Sequence, residues 1–89
     1  MAHLAFTPNL ARLVSVPEGA FSGSTVREIL EAAFATRPDV RSYVLDDQGA
    51  LRKHVMVFVD GNQVRDRIRL DDPVGPEGDV FVMQALSGG

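Results

Sequence analysis

The clearest periodic signal in this chain is one amphipathic helix with a marked starting point. Val26, Ile29, Leu30, Ala33 and Phe34 fall at i, i+3, i+4, i+7 and i+8, which is one apolar face of an α-helix. Thr25-Val26-Arg27-Glu28 reads as a capping box at its head. The Thr25 hydroxyl accepts from the Glu28 amide, and the Glu28 carboxylate reaches back to the Thr25 amide. Arg27, Glu28 and Glu31 lie off the apolar face. Pro38 stops the helix and pushes Arg37 towards extended geometry. A one-sided helix must bury its stripe against something, and the remaining apolar runs read as strands. That combination predicts an α+β fold, with a small mixed sheet covering one main helix.

The strand candidates are short. His3 to Phe6 is apolar and is interrupted by Thr7-Pro8-Asn9. Leu10 to Val16 is a second candidate, closed by Pro17-Glu18-Gly19. Val40 to Leu51 is mixed, with Asp46-Asp47-Gln48-Gly49 as a turn between two short extended pieces. Val55-Met56-Val57-Phe58-Val59 is the strongest strand and ends at Asp60-Gly61, a tight-turn signal. Gln63-Val64-Arg65 suits a short return strand, and Val80 to Ala85 is the last one. Pro73 to Asp79 holds two prolines and two glycines and is read as irregular.

Composition removes whole classes of function. At 89 residues the chain is one domain with a small core. It has no cysteine, which excludes disulfides, thiol catalysis, iron–sulfur clusters and most zinc sites. A net charge of −3 argues against nucleic acid or an anionic membrane as main partner. No apolar run has the length of a membrane span, and Met1-Ala2-His3-Leu4 does not read as a signal peptide, so the cytoplasm is the expected compartment. His3 and His54 have no partner at ligand spacing, so no metal is expected. Asp46-Asp47 and Asp71-Asp72 read as turn formers, and Arg65, Arg67 and Arg69, interleaved with acids, as a solvated loop face. No catalytic constellation or phosphate-cradling glycine loop stands out.

What remains is the sequence end, Leu86-Ser87-Gly88-Gly89, directly after the last strand candidate. Glycines lack a Cβ, so such a tail threads a narrow slot and takes backbone angles closed to other residues. The expected working group is then the Gly89 carboxylate. A carboxylate is a poor electrophile until it is adenylated, when AMP becomes its leaving group. The bland alternative is chance or a sequence scar. The expected organisation is a domain over residues 1–85 and a flexible tail over 86–89.

The element order and this tail resemble the β-grasp fold, and within it the ThiS/MoaD family of ubiquitin-like sulfur carriers. The resemblance rests on residues 23–30 at the helix start, on residues 51–65 around the central strand, and on Gly78-Asp79-Val80-Phe81-Val82 leading to Gly88-Gly89. It implies that an activating enzyme adenylates Gly89 using ATP, and that sulfur from a donor replaces AMP to give a thiocarboxylate. A sulfur-accepting biosynthetic enzyme then uses that sulfur. The carrier itself catalyses nothing and holds no cofactor. Gln84 and Ala85 stand where many family members have proline, which puts the choice of partner enzyme in question. Two rival readings remain. One is a ubiquitin-like modifier joined through Gly89 to target lysines; the other is a non-covalent β-grasp adaptor.

Strand alternation adds a candidate docking face. If the valines of the central and last strands face the helix, then Met56, Phe58, Phe81 and Met83 share the other side of the sheet. Four large apolar residues there make a partner-sized patch. The resemblance implies the same for Phe58 and Met83, whose positions match the contact surface of the family.

Overall fold

The computed structural model describes residues 1–7 and 18–84. Its elements are β1 (Ala2–Phe6), β2 (Gly19–Phe21), α1 (Val26–Thr36), α2 (Pro38–Val44), β3 (Val55–Val59), β4 (Asn62–Gln63) and β5 (Asp79–Gln84). The strands form one mixed sheet in the order β2-β1-β5-β3-β4. The first and last strands run parallel at its centre, with Phe6 opposite Val82. This is the expected α+β arrangement, in which a β-grasp sheet holds one main helix against one face.

The helix forms where its period and its cap agree. Val26, Ile29, Leu30, Ala33 and Phe34 are all buried. They meet a core made of Leu4, Phe6, Val57, Val80 and Val82 with their neighbours from the loops. At the cap, the Thr25 hydroxyl accepts from the Glu28 amide at 3.2 Å. The Glu28 carboxylate turns mainly to the preceding residue, accepting from the Ser24 amide at 2.7 Å and the Ser24 hydroxyl at 3.0 Å. The reciprocal half of the box therefore falls one residue before the expected Thr25 amide. Gly23 makes room for it, since a Cβ there would sit 2.8 Å from the Glu28 Cβ.

Two expectations need correction. Residues 38–44 form a second helix where the sequence suggested mixed extended structure. Pro38 ends α1 and opens α2, because a first-turn position needs no N–H, and Arg37 breaks the path between them at φ −141°. Val40 and Val44 then bury one side of that short helix. The second described strand is Gly19–Phe21, placed by antiparallel pairing with β1; Leu10–Val16 lies outside the described residues. The return strand is Asn62–Gln63, because Val64 is already buried in the core. The Asp46 turn does sit between short extended pieces, closed by a Leu45–Leu51 bridge.

Candidate docking face and the exit to the tail

β3 and β5 pair antiparallel, and their register decides which side chains meet. Met56 lies opposite Met83, and Phe58 opposite Phe81, with Val57 opposite Val82 between them. Opposed residues of an antiparallel pair share a face, so the sheet carries two apolar cross-strand pairs on the side away from α1. The valines turn inwards, with Val57 and Val82 wholly buried. Met56, Phe58, Phe81 and Met83 are half-buried. Their row continues sideways, since Ala5 of β1 lies opposite Phe81 and Gln63 of β4 opposite Phe58. Both neighbours are exposed, and Ala5 has too little bulk to cover an aromatic ring.

The register is pinned at the hairpin end. Asp60 and Gly61 take positive φ, 50° and 85°, as a tight turn with two left-handed positions requires. The Asp60 amide donates to the Asp79 carbonyl at 2.8 Å, and the Asp79 amide donates to Asp60 Oδ1 at 2.9 Å. These two bonds tie the β3–β4 turn to the start of β5. A slip of one residue would put the valines outside and the methionines and phenylalanines against the helix.

At its other end β5 leads towards the tail. The Thr7 amide donates to the Val82 carbonyl at 3.0 Å. Two residues on, the Gln84 amide donates to the Thr7 side-chain hydroxyl at 3.3 Å. Leu86, Ser87, Gly88 and Gly89 lie outside the described residues, as does the expected domain boundary at residue 85.

The sequence missed other surface features. Among the described residues, the large apolar side chains most open to water are Met1, Tyr43 and Ile68, at 63%, 42% and 69% exposure, none of them on the outer face of β3 and β5. The arginines are ties as much as surface charge. Arg27 donates to the carbonyls of Gly49, Ile68 and Arg69, and Arg67 to that of Arg52. A planar guanidinium reaches several carbonyls at once, which a lysine does not. The acids are turn formers, as expected for Asp46 and Asp72. Asp46 accepts from the Gln48 and Ala50 amides, Asp66 from those of Ile68 and Arg69, and Asp72 from those of Arg65 and Asp66. The amides hold Asp46 and Asp66 below the usual carboxylate range, chiefly Ala50 for the first and Arg69 for the second.

A groove of about 570 Å³ lies at the hairpin end, between Val59, Asn62, Arg65 and Pro73. Its carboxylates, Asp60 and Asp72, already accept from backbone amides. Among the described residues no cluster of His, Asp and Glu is placed to hold a metal, and no helix is long and apolar enough to cross a membrane.

No family model matches the sequence, and no curated protein sequence matches it either. Solved structures do. A chain of the Amycolatopsis orientalis BexX/CysO complex superposes with a TM-score of 0.82 at 17% identity, covering 100% of both chains. Small archaeal modifier protein 1 of Haloferax volcanii gives 0.76 at 22% identity, over 99% of this chain and 98% of that one. CysO of Mycobacterium tuberculosis gives 0.79 at 17%, over 97% and 100%. At these identities the match is one of fold. The chain has the ubiquitin-like β-grasp fold that its sequence resemblance implied.

Proposed function

We propose that this β-grasp domain is a sulfur carrier, a co-substrate of partner enzymes with Gly89 as its reactive residue. The observation that carries the reading is the double use of β5. Its outward residues Phe81 and Met83 complete the apolar pairs with Phe58 and Met56, and the same strand leads to the glycine tail. One docking event would fix both the body and the origin of the tail. Its structural neighbours, CysO and a small archaeal modifier protein, fit such a role.

In the first step a Gly89 carboxylate oxygen attacks the α-phosphorus of ATP on an activating enzyme. Pyrophosphate leaves and an acyl-adenylate forms. Hydrosulfide, released by a sulfur donor, then adds to the carbonyl. The bond to the phosphate oxygen breaks, AMP departs, and loss of one proton leaves the thiocarboxylate. On a sulfur-accepting biosynthetic enzyme the thiocarboxylate sulfur displaces a leaving group from an electrophilic substrate, and water then cleaves the resulting thioester, leaving the sulfur on the substrate and restoring the Gly89 carboxylate. The carrier contributes a reach without side chains and a docking face; the enzymes supply the electrophile and the base.

The modifier reading shares the adenylate and differs in the nucleophile, a lysine amine in place of sulfide. The neighbour named as a modifier favours keeping it. Intact-mass spectrometry of the protein from its native host separates the two. A carrier shows a fraction in which sulfur replaces one oxygen of Gly89, and that fraction disappears when the sulfur donor is deleted. Gly89 found linked to many host lysines, with no thiocarboxylate under any condition, overturns the carrier reading for the modifier.

A further inference from the structure

The connection from β4 to β5 contains one helical turn, residues 66–70, whose backbone is tied down along its length. All five of its carbonyls accept a hydrogen bond. Asp66 accepts from the Leu70 amide at 3.0 Å, Arg67 from the Leu51 amide at 2.9 Å, and Leu70 from the Arg27 amide at 2.7 Å. Ile68 and Arg69 accept from the Arg27 guanidinium at 2.8 and 3.3 Å. At the head of the turn Asp66 Oδ1 accepts from the Ile68 and Arg69 amides, each at 2.9 Å. At its foot Leu70 is wholly buried and takes a positive φ of 56°, a conformation a leucine keeps only where its surroundings impose it. On this braced turn Ile68 stands in water, 69% exposed. A lone exposed apolar side chain is ordinary. One on a backbone so fully tied is held ready for contact, because a partner that covers it has little of this chain left to order.

The charges around Ile68 define the partner it fits. Arg65, Arg67 and Arg69 are interleaved with acids in the sequence, but two of those acids turn to the main chain. Asp66 caps the turn, and Asp72 accepts from the Arg65 and Asp66 amides at 3.0 and 3.4 Å. The Arg69 charge also acts on Asp66, but less than the amides do. Among the described residues the side-chain ion pairs are Arg27–Glu31, Arg41–Glu31 and Arg37–Asp39, and none takes an arginine of the turn. Arg67 donates instead to the Arg52 carbonyl at 2.7 Å, which brings exposed Arg52 and Lys53 alongside. Residues 52–53 and 65–72 together hold five cationic side chains against three aspartates, in a chain of net charge −3. We propose that this turn is a docking site for an acidic protein segment with an apolar residue at its centre. Ile68 covers the apolar residue, and the arginines beside it meet the carboxylates, which steer the approach. A phosphate backbone would engage the arginines and leave Ile68 wet, so the isoleucine favours a protein. The turn is tied to α1, so the site stands apart from the outer face of β3 and β5 and goes beyond the carrier reading.

The test is an NMR titration of the full chain at low ionic strength with three probes. One is a short synthetic peptide of glutamates around a central leucine. The second is the same peptide with lysines in place of the glutamates, and the third a single-stranded oligonucleotide matched in charge to the first. The acidic peptide should shift the amides of residues 65–69 and leave those of Met56, Phe58, Phe81 and Met83 in place, and its binding should weaken as salt screens the charges. Ile68→Ser should lower its affinity about tenfold, and the double variant Arg65→Gln/Arg69→Gln by a similar factor. Both variants should melt as the wild type does, since the ties of the turn run through its backbone and the replaced side chains are exposed. An acidic peptide that does not bind, a lysine peptide that binds equally well, or shifts confined to the outer face overturn the proposal. So does unchanged affinity in Ile68→Ser. An oligonucleotide that binds more tightly than the acidic peptide makes the turn a general anion surface and overturns the protein partner.

Discussion

The two faces of β3 and β5 belong to the same pair of strands and obey opposite rules. Inwards stand Val55, Val57, Val80 and Val82, at most 1% exposed and closed over by α1. Outwards stand Met56, Phe58, Phe81 and Met83, half-buried and opposed as two cross-strand pairs. β-branched residues have restricted rotamers and pack well on a pleated surface, so the inner face suits a fixed shape. Methionine and phenylalanine offer larger, more adaptable area. The inner face spends its apolar surface on the fold. The outer face keeps area in reserve, at half exposure, for a contact made and broken. A single strand pair thus separates stability from recognition by residue parity alone.

The largest effect should come from breaking the inner face. Val57→Asp places a carboxylate among side chains with no solvent access. The cost is on the order of 4 kcal/mol or more, a large share of what so small a domain has. Far-UV circular dichroism and thermal melts should find the variant largely unfolded at 25 °C. A folded Val57→Asp would mean that the inner face relaxes far more than its burial implies.

The mirror substitution one residue on sharpens the contrast. Phe58→Asp should leave the fold intact, because Phe58 is half-exposed, its rim neighbours are open and its removal uncovers no core. Binding to the activating enzyme, measured by calorimetry, should weaken by about 2 kcal/mol, or roughly 30-fold. Unfolding instead would make Phe58 a core residue. A folded variant that binds normally would move the docking site elsewhere, with Tyr43 and Ile68 the next apolar candidates.

This parity was legible before the fold was known, because strand alternation is a local rule and both runs are unbroken. So was α1, whose stripe and cap agree. α2 was obscured because one proline did two jobs, ending a helix and starting another, although Val40 and Val44 stood at helical spacing. β2 was hidden for a different reason. Gly19 and Ala20 have low strand propensity and are strand only because β1 offers its edge. The hydrogen bond from the Gln84 amide to the Thr7 hydroxyl spans 77 residues of sequence, and no local pattern announces such a contact. The positive φ of 56° at Leu70 is similar: Asp71-Asp72 signals a turn beside it, but no local pattern assigns that conformation to a fully buried leucine. The reading of the tail rests on the sequence alone, because Gly89 lies outside the described residues.

A smaller effect is expected at the helix that closes the inner face. Thr25→Ala removes the hydroxyl that accepts from the Glu28 amide. The loss should be about 1 kcal/mol, or about 4–8 °C in Tm for a domain of this size. The cap sits on the far side of the sheet from Phe58, so affinity for the activating enzyme should not change. A Thr25→Ala variant that weakens docking as strongly as Phe58→Asp would show that the two faces are coupled, and the separation argued above would fail.

The smallest effect is electrostatic and follows from the same cap. The Ser24 amide, and then its hydroxyl, hold the Glu28 carboxyl below its ordinary range in the folded chain. In the unfolded chain those partners are gone and the ordinary value returns. A group lowered on folding contributes stability that is fully present above its unfolded pKa and is lost as pH falls through the folded one. Asp46 and Asp66, lowered by their own turn amides, act with the same sign. Stability should therefore be flat near neutrality and decline below the ordinary carboxylate range, near pH 4. Glu28→Gln isolates the share of the cap. Its amide oxygen still accepts from Ser24, but it does not titrate. Urea denaturation should show this variant slightly less stable than wild type at pH 7, with the gap closing as the pH drops. All three carboxylates belong to helix caps and turns, and none to the apolar pairs of the outer face. Acid should thus loosen the inner-face packing before it alters the Met56–Met83 and Phe58–Phe81 contacts. A gap that widens towards low pH would reverse the sign and show that Glu28 folds more readily when protonated.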